Sequence, residues 1–258
     1  MSSIYFESTV TEVHHWTDRL FSFSGTREPG FRFQSGQFAM IGLPINDKPL
    51  MRAYSMAGAH HDEQLTFLSI KVPDGPLTSH LSLIKPGDKV LVGRKPTGTL
   101  LLQNLMPGKT LYLLSTGTGL APFMSIIQDP DVYERYEKVV LVHGCRQVAE
   151  LAYRDHIENV LPQHEWLGEQ ISMQLIYYPT VTREPFMHQG RIPDLMRSGQ
   201  LFADIKLPNL DPEADRFMLC GSPEMLRDTK ALLDERGLSE GNMSTPGHYV
   251  IERAFVDK

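Results

Sequence analysis

The chain has 258 residues, of which 41 % are hydrophobic and 22 % charged, a composition typical of a globular protein with one large or two ordinary domains. Its 25 basic and 31 acidic side chains give a net charge of −6, which argues against nucleic-acid binding because phosphate groups require a basic surface. Its 2 cysteines cannot supply the thiolates of an iron–sulfur cluster, and no apolar run reaches the roughly 20 residues that cross a bilayer. With no secretory signal in the first residues, we expect a cytoplasmic protein without membrane contact, in which any redox chemistry depends on an organic cofactor.

The first hundred residues consist of short apolar runs separated by Gly and Pro, and this pattern predicts an antiparallel β-barrel in a domain of residues 1–104. One short helix is expected, from Pro76 to Leu83. The predicted strands are Tyr5 to Val13, Leu20 to Ser24, Gln37 to Leu43, Ala53 to Met56, Leu65 to Val72 and Lys89 to Val92.

From residue 105 the pattern changes to nearly continuous apolar runs that alternate with amphipathic stretches. Such strands, separated by helices, predict a parallel sheet covered on both faces in a second domain of residues 105–258. A helical pattern covers Glu150 to Leu161. The predicted strands lie in Thr110 to Ser115, Lys138 to Gly144, Met173 to Pro179 and Arg216 to Ser222, with a last one running from Tyr249 towards the C-terminus.

The tetrapeptide Arg52-Ala53-Tyr54-Ser55 lies on a predicted strand and combines a cation, an aromatic ring and a hydroxyl. A flavin dinucleotide requires these groups for its pyrophosphate, its ring and its reactive N5. The alternative is an ordinary strand with a surface arginine. Thr78 follows Gly75-Pro76 at the start of the predicted helix, and with Ser79 it could bind phosphate or simply cap the helix.

The segment from Ser115 to Pro122 places Gly117 and Gly119 between a strand and a helix pattern. This is the dinucleotide-binding arrangement with the spacing G-x-G-x-x-P, and Thr116 lies beside it. Arginines follow later strands, where loops of a parallel sheet meet at one edge. Arg146 stands where an NAD enzyme would place an acidic residue, which favours NADP. The arginines expected to converge on the 2′-phosphate are Arg146, Arg183 and Arg191, although each alone could be a solvated surface residue.

Cys220 ends a predicted strand above the same edge, and Glu252 is a lone carboxylate in the apolar C-terminal strand. Either residue could face a nicotinamide, but a buried cysteine more often packs as a small apolar side chain. The pairs His14-His15 and His60-His61 suggest no metal site, because adjacent residues on a strand point to opposite faces.

The segments RAYS, GPLTS, STGTGLAPF, CGSPEM and YVIERAF occur in an order and at spacings that resemble the bacterial, Azotobacter-like form of the ferredoxin–NADP reductase family over essentially the whole chain. The resemblance implies FAD bound between a six-stranded antiparallel barrel and a Rossmann-like NADP(H)-binding α/β domain. It also implies a monomer that passes electrons from NADPH to ferredoxin or flavodoxin. In this reading Ser55, Cys220 and Glu252 are catalytic, near N5 and the nicotinamide.

The resemblance implies further cofactor contacts at the C-terminus, where Ala254 replaces the stacking aromatic of the plastid type and Phe255 could cover the adenine. Lys258 ends this extension. Two enzyme alternatives remain, the reductase component of an oxygenase and a free-flavin reductase. The alternative outside enzymes is a flavin-binding electron-transfer subunit without a nicotinamide site.

Overall fold

In the computed structural model, which describes residues 4–253, the first six strands form one antiparallel sheet in the order β4-β3-β6-β1-β2-β5. A bridge between Met56 and Phe67 connects the end of β4 to β5, so the two edge strands meet and the predicted barrel is confirmed. The strands are β1 (Tyr5–His15), β2 (Leu20–Thr26), β3 (Phe38–Ile45), β4 (Lys48–Ser55), β5 (Gln64–Ile70) and β6 (Lys89–Gly93). We call this part, residues 5–93, the barrel half.

The barrel half is filled by aromatic and branched side chains that point inwards from alternate strand positions. Phe21, Phe23 and Phe67 are among its fully buried residues. The helix α1 (Thr78–Leu81) closes one end, because Leu81 packs into the same core. These contacts belong to one core that the strands of the barrel half share.

The second sheet is parallel, has the order β11-β10-β7-β8-β9, and with its helices is called the sheet half, residues 110–252. Its strands are β7 (Thr110–Thr116), β8 (Lys138–Cys145), β9 (Leu175–Val181), β10 (Asp215–Cys220) and β11 (Tyr249–Glu252). Its helices are α2 (Leu120–Ile126), α3 (Pro130–Arg135), α4 (Gly168–Gln174), α5 (Ile192–Arg197), α6 (Gln200–Asp204) and α7 (Pro223–Glu235). One apolar cluster lies on each face, which confirms the predicted α/β architecture.

The order of the parallel strands fixes where a ligand can bind. The chain adds β8 and β9 on one side of β7, then crosses to the other side to add β10 and β11. Loops that leave the carboxyl ends of β7 and β10 therefore diverge and open a crevice at this switch point.

Three parts of the expected secondary structure were wrong. Strand β4 begins at Lys48 rather than Ala53, because Asn46 and Asp47 adopt positive φ values of 51° and 61° and form a tight hairpin turn with β3. The expected helix from Glu150 to Leu161 is broken into a 3₁₀ turn at Val148–Glu150, a π-helical turn at His156–Val160 and a 3₁₀ turn at Leu161–Gln163. The expected helix after Pro76 is only one turn long.

The two halves contact each other directly. The rings of Trp16 and Tyr153 pack with centroids 4.7 Å apart, and Leu20 and Leu68 belong to the same apolar cluster as the residues of α2. The domain boundary at residues 104 and 105 stays a prediction. Among residues 4–253, no helix is long and apolar enough to cross a bilayer, and no group of three metal-ligating side chains occurs.

Candidate active site

A cavity of about 660 Å³ lies at the switch point between β7 and β10. The loops after all four strands from β7 to β10 contribute to it, and three residues of the barrel half, Arg19, Leu20 and Ile70, complete its wall. Its volume falls within the range of small-molecule and cofactor sites. The predicted site residues that line it are Thr116, Gly117, Gly119, Arg146, Arg183 and Arg191.

The glycine-rich turn after β7 packs tightly against the end of β10. A side chain at Gly119 would place its Cβ 2.2 Å from the carbonyl oxygen of Cys220, so only glycine fits there. Gly117 has φ +55°, a left-handed conformation that favours glycine, and no atom of residues 4–253 lies within 4 Å of the position of its missing Cβ. The hydroxyl of Thr116 accepts a hydrogen bond of 2.8 Å from the Ser222 N–H. The turn is thus held on one side and open towards the cavity on the other, as a bound pyrophosphate requires.

Arg146 and Arg183 lie on neighbouring loops that are tied together through their backbones. The Arg183 N–H donates to the Arg146 carbonyl at 2.9 Å, and the Glu184 carboxylate accepts a hydrogen bond from the Val148 N–H. The Glu150 carboxylate accepts a further bond of 3.0 Å from the Arg146 N–H. Both guanidinium groups are exposed and have no hydrogen-bond or ion-pair partner within residues 4–253, so they are available to an anion in the cavity.

Arg191 differs from these two arginines because its guanidinium is already paired. It lies 2.6 Å from Asp228, 3.2 Å from Glu224 and 3.9 Å from Asp194. The hydrogen bond to Asp228 raises the pKa of Arg191 and lowers that of Asp228. The expected contact of Arg191 with a 2′-phosphate stays a prediction, and the structure places it in an ionic cluster between α5 and α7.

The residues expected to bind flavin lie at the end of β4. Arg52 is exposed, and its Nη1 donates to the Met51 carbonyl at 2.9 Å, while Ala53 beside it is half-buried. Tyr54 is buried, with its hydroxyl 3.2 Å from Ser69 Oγ, and burial raises its pKa. The Ser55 hydroxyl is buried without any hydrogen-bond partner among the described residues. Since buried polar groups are normally paired, this hydroxyl fits a site whose partner belongs to a cofactor.

Thr78 and Ser79 are hydrogen-bonded within their own segment. Thr78 Oγ1 donates to the Val72 carbonyl at 3.2 Å, and Ser79 Oγ donates to the Gly75 carbonyl at 2.7 Å. The N-cap residue of α1 is Leu77, which has no capping side chain, so Thr78 and Ser79 are not its N-cap. The two hydroxyls shape the loop that leads into α1, and their expected contact with phosphate stays a prediction.

Cys220 and Glu252 are neighbours on adjacent strands. They pair in register at the carboxyl ends of β10 and β11. Cys220 is completely buried in the apolar cluster, and burial together with the nearby Glu252 raises the pKa of its thiol. Glu252 is buried too, and its Oε2 accepts a hydrogen bond of 3.1 Å from the Thr99 N–H. Their catalytic roles stay predictions, and Ala254, Phe255 and Lys258 lie outside the described residues.

Sequence reasoning missed two features of the site. The first is Arg19, which reaches the cavity from the barrel half although nothing around it in the sequence resembles a motif. The second is a buried chain in which His143 Nδ1 lies 2.9 Å from the Tyr177 hydroxyl and Nε2 lies 3.3 Å from Cys145 Sγ. Burial lowers the pKa of His143 to about 3 and raises that of Cys145 to about 12, so both are uncharged supports of the loop after β8.

Each half of the chain matches a known protein family. Residues 8–101 match the oxidoreductase FAD-binding domain and residues 113–231 the oxidoreductase NAD-binding domain. The chain is 62 % identical to a ferredoxin–NADP reductase of Pseudomonas aeruginosa, with 100 % of both chains covered. It is 61 % identical to that of Azotobacter vinelandii, over 96 % of this chain and 97 % of the relative.

One solved structure is similar to this chain over nearly the whole length of both chains. A ferredoxin NADP+ reductase from Neisseria gonorrhoeae with bound FAD and NADP superposes with a TM-score of 0.89 at 30 % identity, over 98 % of this chain and 100 % of that one.

Proposed function

The chain belongs to the ferredoxin–NADP reductase family, and from this we propose that it transfers electrons between NADPH and a ferredoxin or flavodoxin with FAD as its cofactor. When bound, FAD supplies the redox chemistry, because its N5 accepts a hydride and its ring system then releases electrons one at a time. The protein itself binds and orients the two nucleotides and keeps water away from the place where they meet.

The single observation that carries the proposal is the shared wall of the cavity. Residues that follow strands β7 to β10 line it together with three residues of the barrel half. A coenzyme bound at the switch point would therefore lie against the half that matches an FAD-binding domain. Hydride transfer requires this juxtaposition, since the donor and acceptor atoms must approach to roughly 3 Å.

In the barrel half, we assign Arg52 to the FAD pyrophosphate, Tyr54 to the flavin ring and Ser55 to a hydrogen bond near N5. The exposed guanidinium of Arg52 and the unpaired hydroxyl of Ser55 support these assignments. Tyr54 is anchored by its contact with Ser69, which leaves its ring fixed in orientation. Thr78 and Ser79 shape the adjoining loop for the phosphates.

In the sheet half, we assign the turn from Thr116 to Gly119 to the coenzyme pyrophosphate, and Arg146 and Arg183 to the 2′-phosphate. The open space beside Gly117 and the two unpaired guanidinium groups support these assignments. Glu252 on β11 accepts a hydrogen bond from Thr99 and pairs with Cys220 at the carboxyl end of β10. We expect the nicotinamide to lie at this end of the sheet. We further propose that the protein acts as a monomer in the cytoplasm.

The test is reduction of the purified protein by NADPH under anaerobic conditions, followed by mixing with a ferredoxin or a flavodoxin. A yellow protein that NADPH bleaches, and that then reduces either carrier, is the expected result. A colourless protein that takes up no FAD would contradict the proposal. Reduction of free flavin without reduction of either carrier would favour the free-flavin reductase alternative.

A further inference from the structure

We propose that Arg19 of the barrel half binds the pyrophosphate of NADP(H), so that the coenzyme site is completed across the junction between the two halves. The inference rests on the proposed function, because it concerns the same cavity. Arg19 is not one of the arginines expected to bind the 2′-phosphate. Arg19 is exposed and lines the cavity together with Leu20 and Ile70.

Side-chain and backbone hydrogen bonds close the turn that carries Arg19. Thr17 Oγ1 accepts hydrogen bonds from the N–H groups of Arg19 at 3.1 Å and Leu20 at 3.0 Å. The Trp16 N–H donates to the Leu20 carbonyl at 2.9 Å and closes the turn between β1 and β2. A threonine that satisfies successive backbone donors fixes the local conformation, so the arginine starts from a defined position.

The same turn is docked onto the sheet half. The Trp16 ring packs against Tyr153 with centroids 4.7 Å apart, while its Nε1 donates to Ser22 Oγ at 3.1 Å. Tyr153 adopts φ +61°, which is unusual for a bulky residue and shows that tertiary packing determines its conformation. Arg19 is therefore held against the sheet half although it belongs to the barrel half.

The position of Arg19 points to the pyrophosphate rather than the 2′-phosphate. Leu20 pairs with Ile70 in register, and the Lys71 N–H donates to the Arg19 carbonyl at 2.7 Å, so Arg19 lies at the end of β5. Strand β5 packs on the turn Gly117–Gly119, which is the turn suited to a pyrophosphate. Arg146 and Arg183 lie instead on the loops after β8 and β9, farther along the sheet.

The charge of Arg19 is available for this task. Its guanidinium has no hydrogen-bond or ion-pair partner in the described part of the chain, in contrast with that of Arg191 and its three carboxylates. A guanidinium that meets a phosphate forms short, charge-assisted hydrogen bonds in a forked geometry. Because NADPH and NADH share the pyrophosphate, this contact would add affinity for both coenzymes and no preference between them.

The experiment compares four variants of the FAD-loaded protein: Arg19→Ala, Arg19→Lys, Arg183→Ala and the control Lys48→Ala, which removes one exposed charge from the barrel half outside the cavity. Calorimetric titration measures the affinity for NADP+ and for 2′-AMP, which carries the 2′-phosphate but no pyrophosphate. Arg19→Ala should weaken NADP+ binding roughly tenfold and leave 2′-AMP binding unchanged. Arg183→Ala should weaken both ligands, Arg19→Lys should retain part of the NADP+ affinity, and Lys48→Ala should match the wild type.

Steady-state kinetics adds a second readout. Arg19→Ala should lower kcat/KM by the same factor for NADPH and NADH, with equal melting temperatures for variant and wild type. Unchanged NADP+ binding in Arg19→Ala would overturn the inference, as would an equal loss of affinity for NADP+ and 2′-AMP. Failure of the proposed function is separate, since the wild type itself would then bind no NADP+.

Discussion

The Ser55 hydroxyl is buried and unpaired in the part of the chain that the structure describes. A buried hydroxyl without a partner costs about 1 to 3 kcal/mol in desolvation. Ser55→Ala should therefore leave the free energy of unfolding of the FAD-free protein unchanged or raise it. In the FAD-loaded protein the same change should slow flavin reduction by NADPH roughly tenfold or more, because a hydrogen bond near N5 is lost. Chemical denaturation and stopped-flow absorbance measure the two effects.

Ser125 offers a matched control for this prediction. Its hydroxyl is also buried and unpaired within the described residues, but it lies in α2 within the apolar interior of the sheet half. Ser125→Ala should resemble Ser55→Ala in stability and the wild type in flavin reduction. A Ser55→Ala protein that is reduced at the wild-type rate would show that this hydroxyl does not act on the flavin.

Some site residues could be predicted from the sequence and others could not. Gly119 was predictable, because a glycine between a strand and a helix pattern has a known role in nucleotide binding. Arg19 was not, because an isolated arginine in a tight turn is usually solvated. Its place in the cavity depends on the contact between Trp16 and Tyr153, which are 137 positions apart, and no local pattern contains that information.

At the level of elements, Arg191 connects two helices. It precedes α5 as its N-cap, and its guanidinium binds Asp228 and Glu224 on α7. Binding a 2′-phosphate would require this guanidinium to share or exchange its carboxylate partners. The unpaired guanidinium of Arg183 has no such competition within residues 4–253.

We therefore expect Arg183→Ala to reduce the preference for NADPH over NADH about tenfold to a hundredfold, and Arg191→Ala to reduce it much less. Arg191→Ala should instead lower the melting temperature slightly, because the ion pairs of Arg191 with three carboxylates are lost. The measurements are kcat/KM for both coenzymes and thermal unfolding. Equal losses of preference in the two variants would show that Arg191 contributes to phosphate recognition as strongly as Arg183.

The elements were predictable where local pattern and packing agree. The parallel strands are buried on both faces and read as continuous apolar runs, so β7 and β8 were placed to within one residue. The first half of β4 was missed because it contains Pro49, which is tolerated since β4 lies at the edge of the sheet order. The expected helix after Glu150 is broken at Tyr153, whose ring packs on the other half of the molecule.

For the whole molecule, two buried titratable groups of the sheet half make the free energy of unfolding change with pH in opposite directions. Burial lowers the pKa of His143 from 6.5 to about 3. Its contribution to the free energy of unfolding is therefore fully present above pH 6.5 and is lost as the pH falls towards 3, because the unfolded chain binds the proton first. Burial raises the pKa of Asp215 from 3.8 to about 6, so its contribution is present below 3.8 and is lost as the pH rises through 6. The difference between the folded and unfolded pKa is larger for His143 than for Asp215. The two contributions together should therefore lower the free energy of unfolding as the pH falls from 6.5 towards 3.

Substitution of each residue separates these two contributions. His143→Gln should flatten the loss of unfolding free energy between pH 6.5 and pH 4, because glutamine cannot take up the proton that the unfolded wild type binds. Asp215→Asn should raise the unfolding free energy at pH 8 by about 1 to 2 kcal/mol, since it removes a buried charge while its amide oxygen can still accept the Asp211 N–H. Urea denaturation at constant FAD concentration, repeated across the pH range, measures both effects. A His143→Gln curve parallel to that of the wild type would show that acid sensitivity arises from groups other than His143.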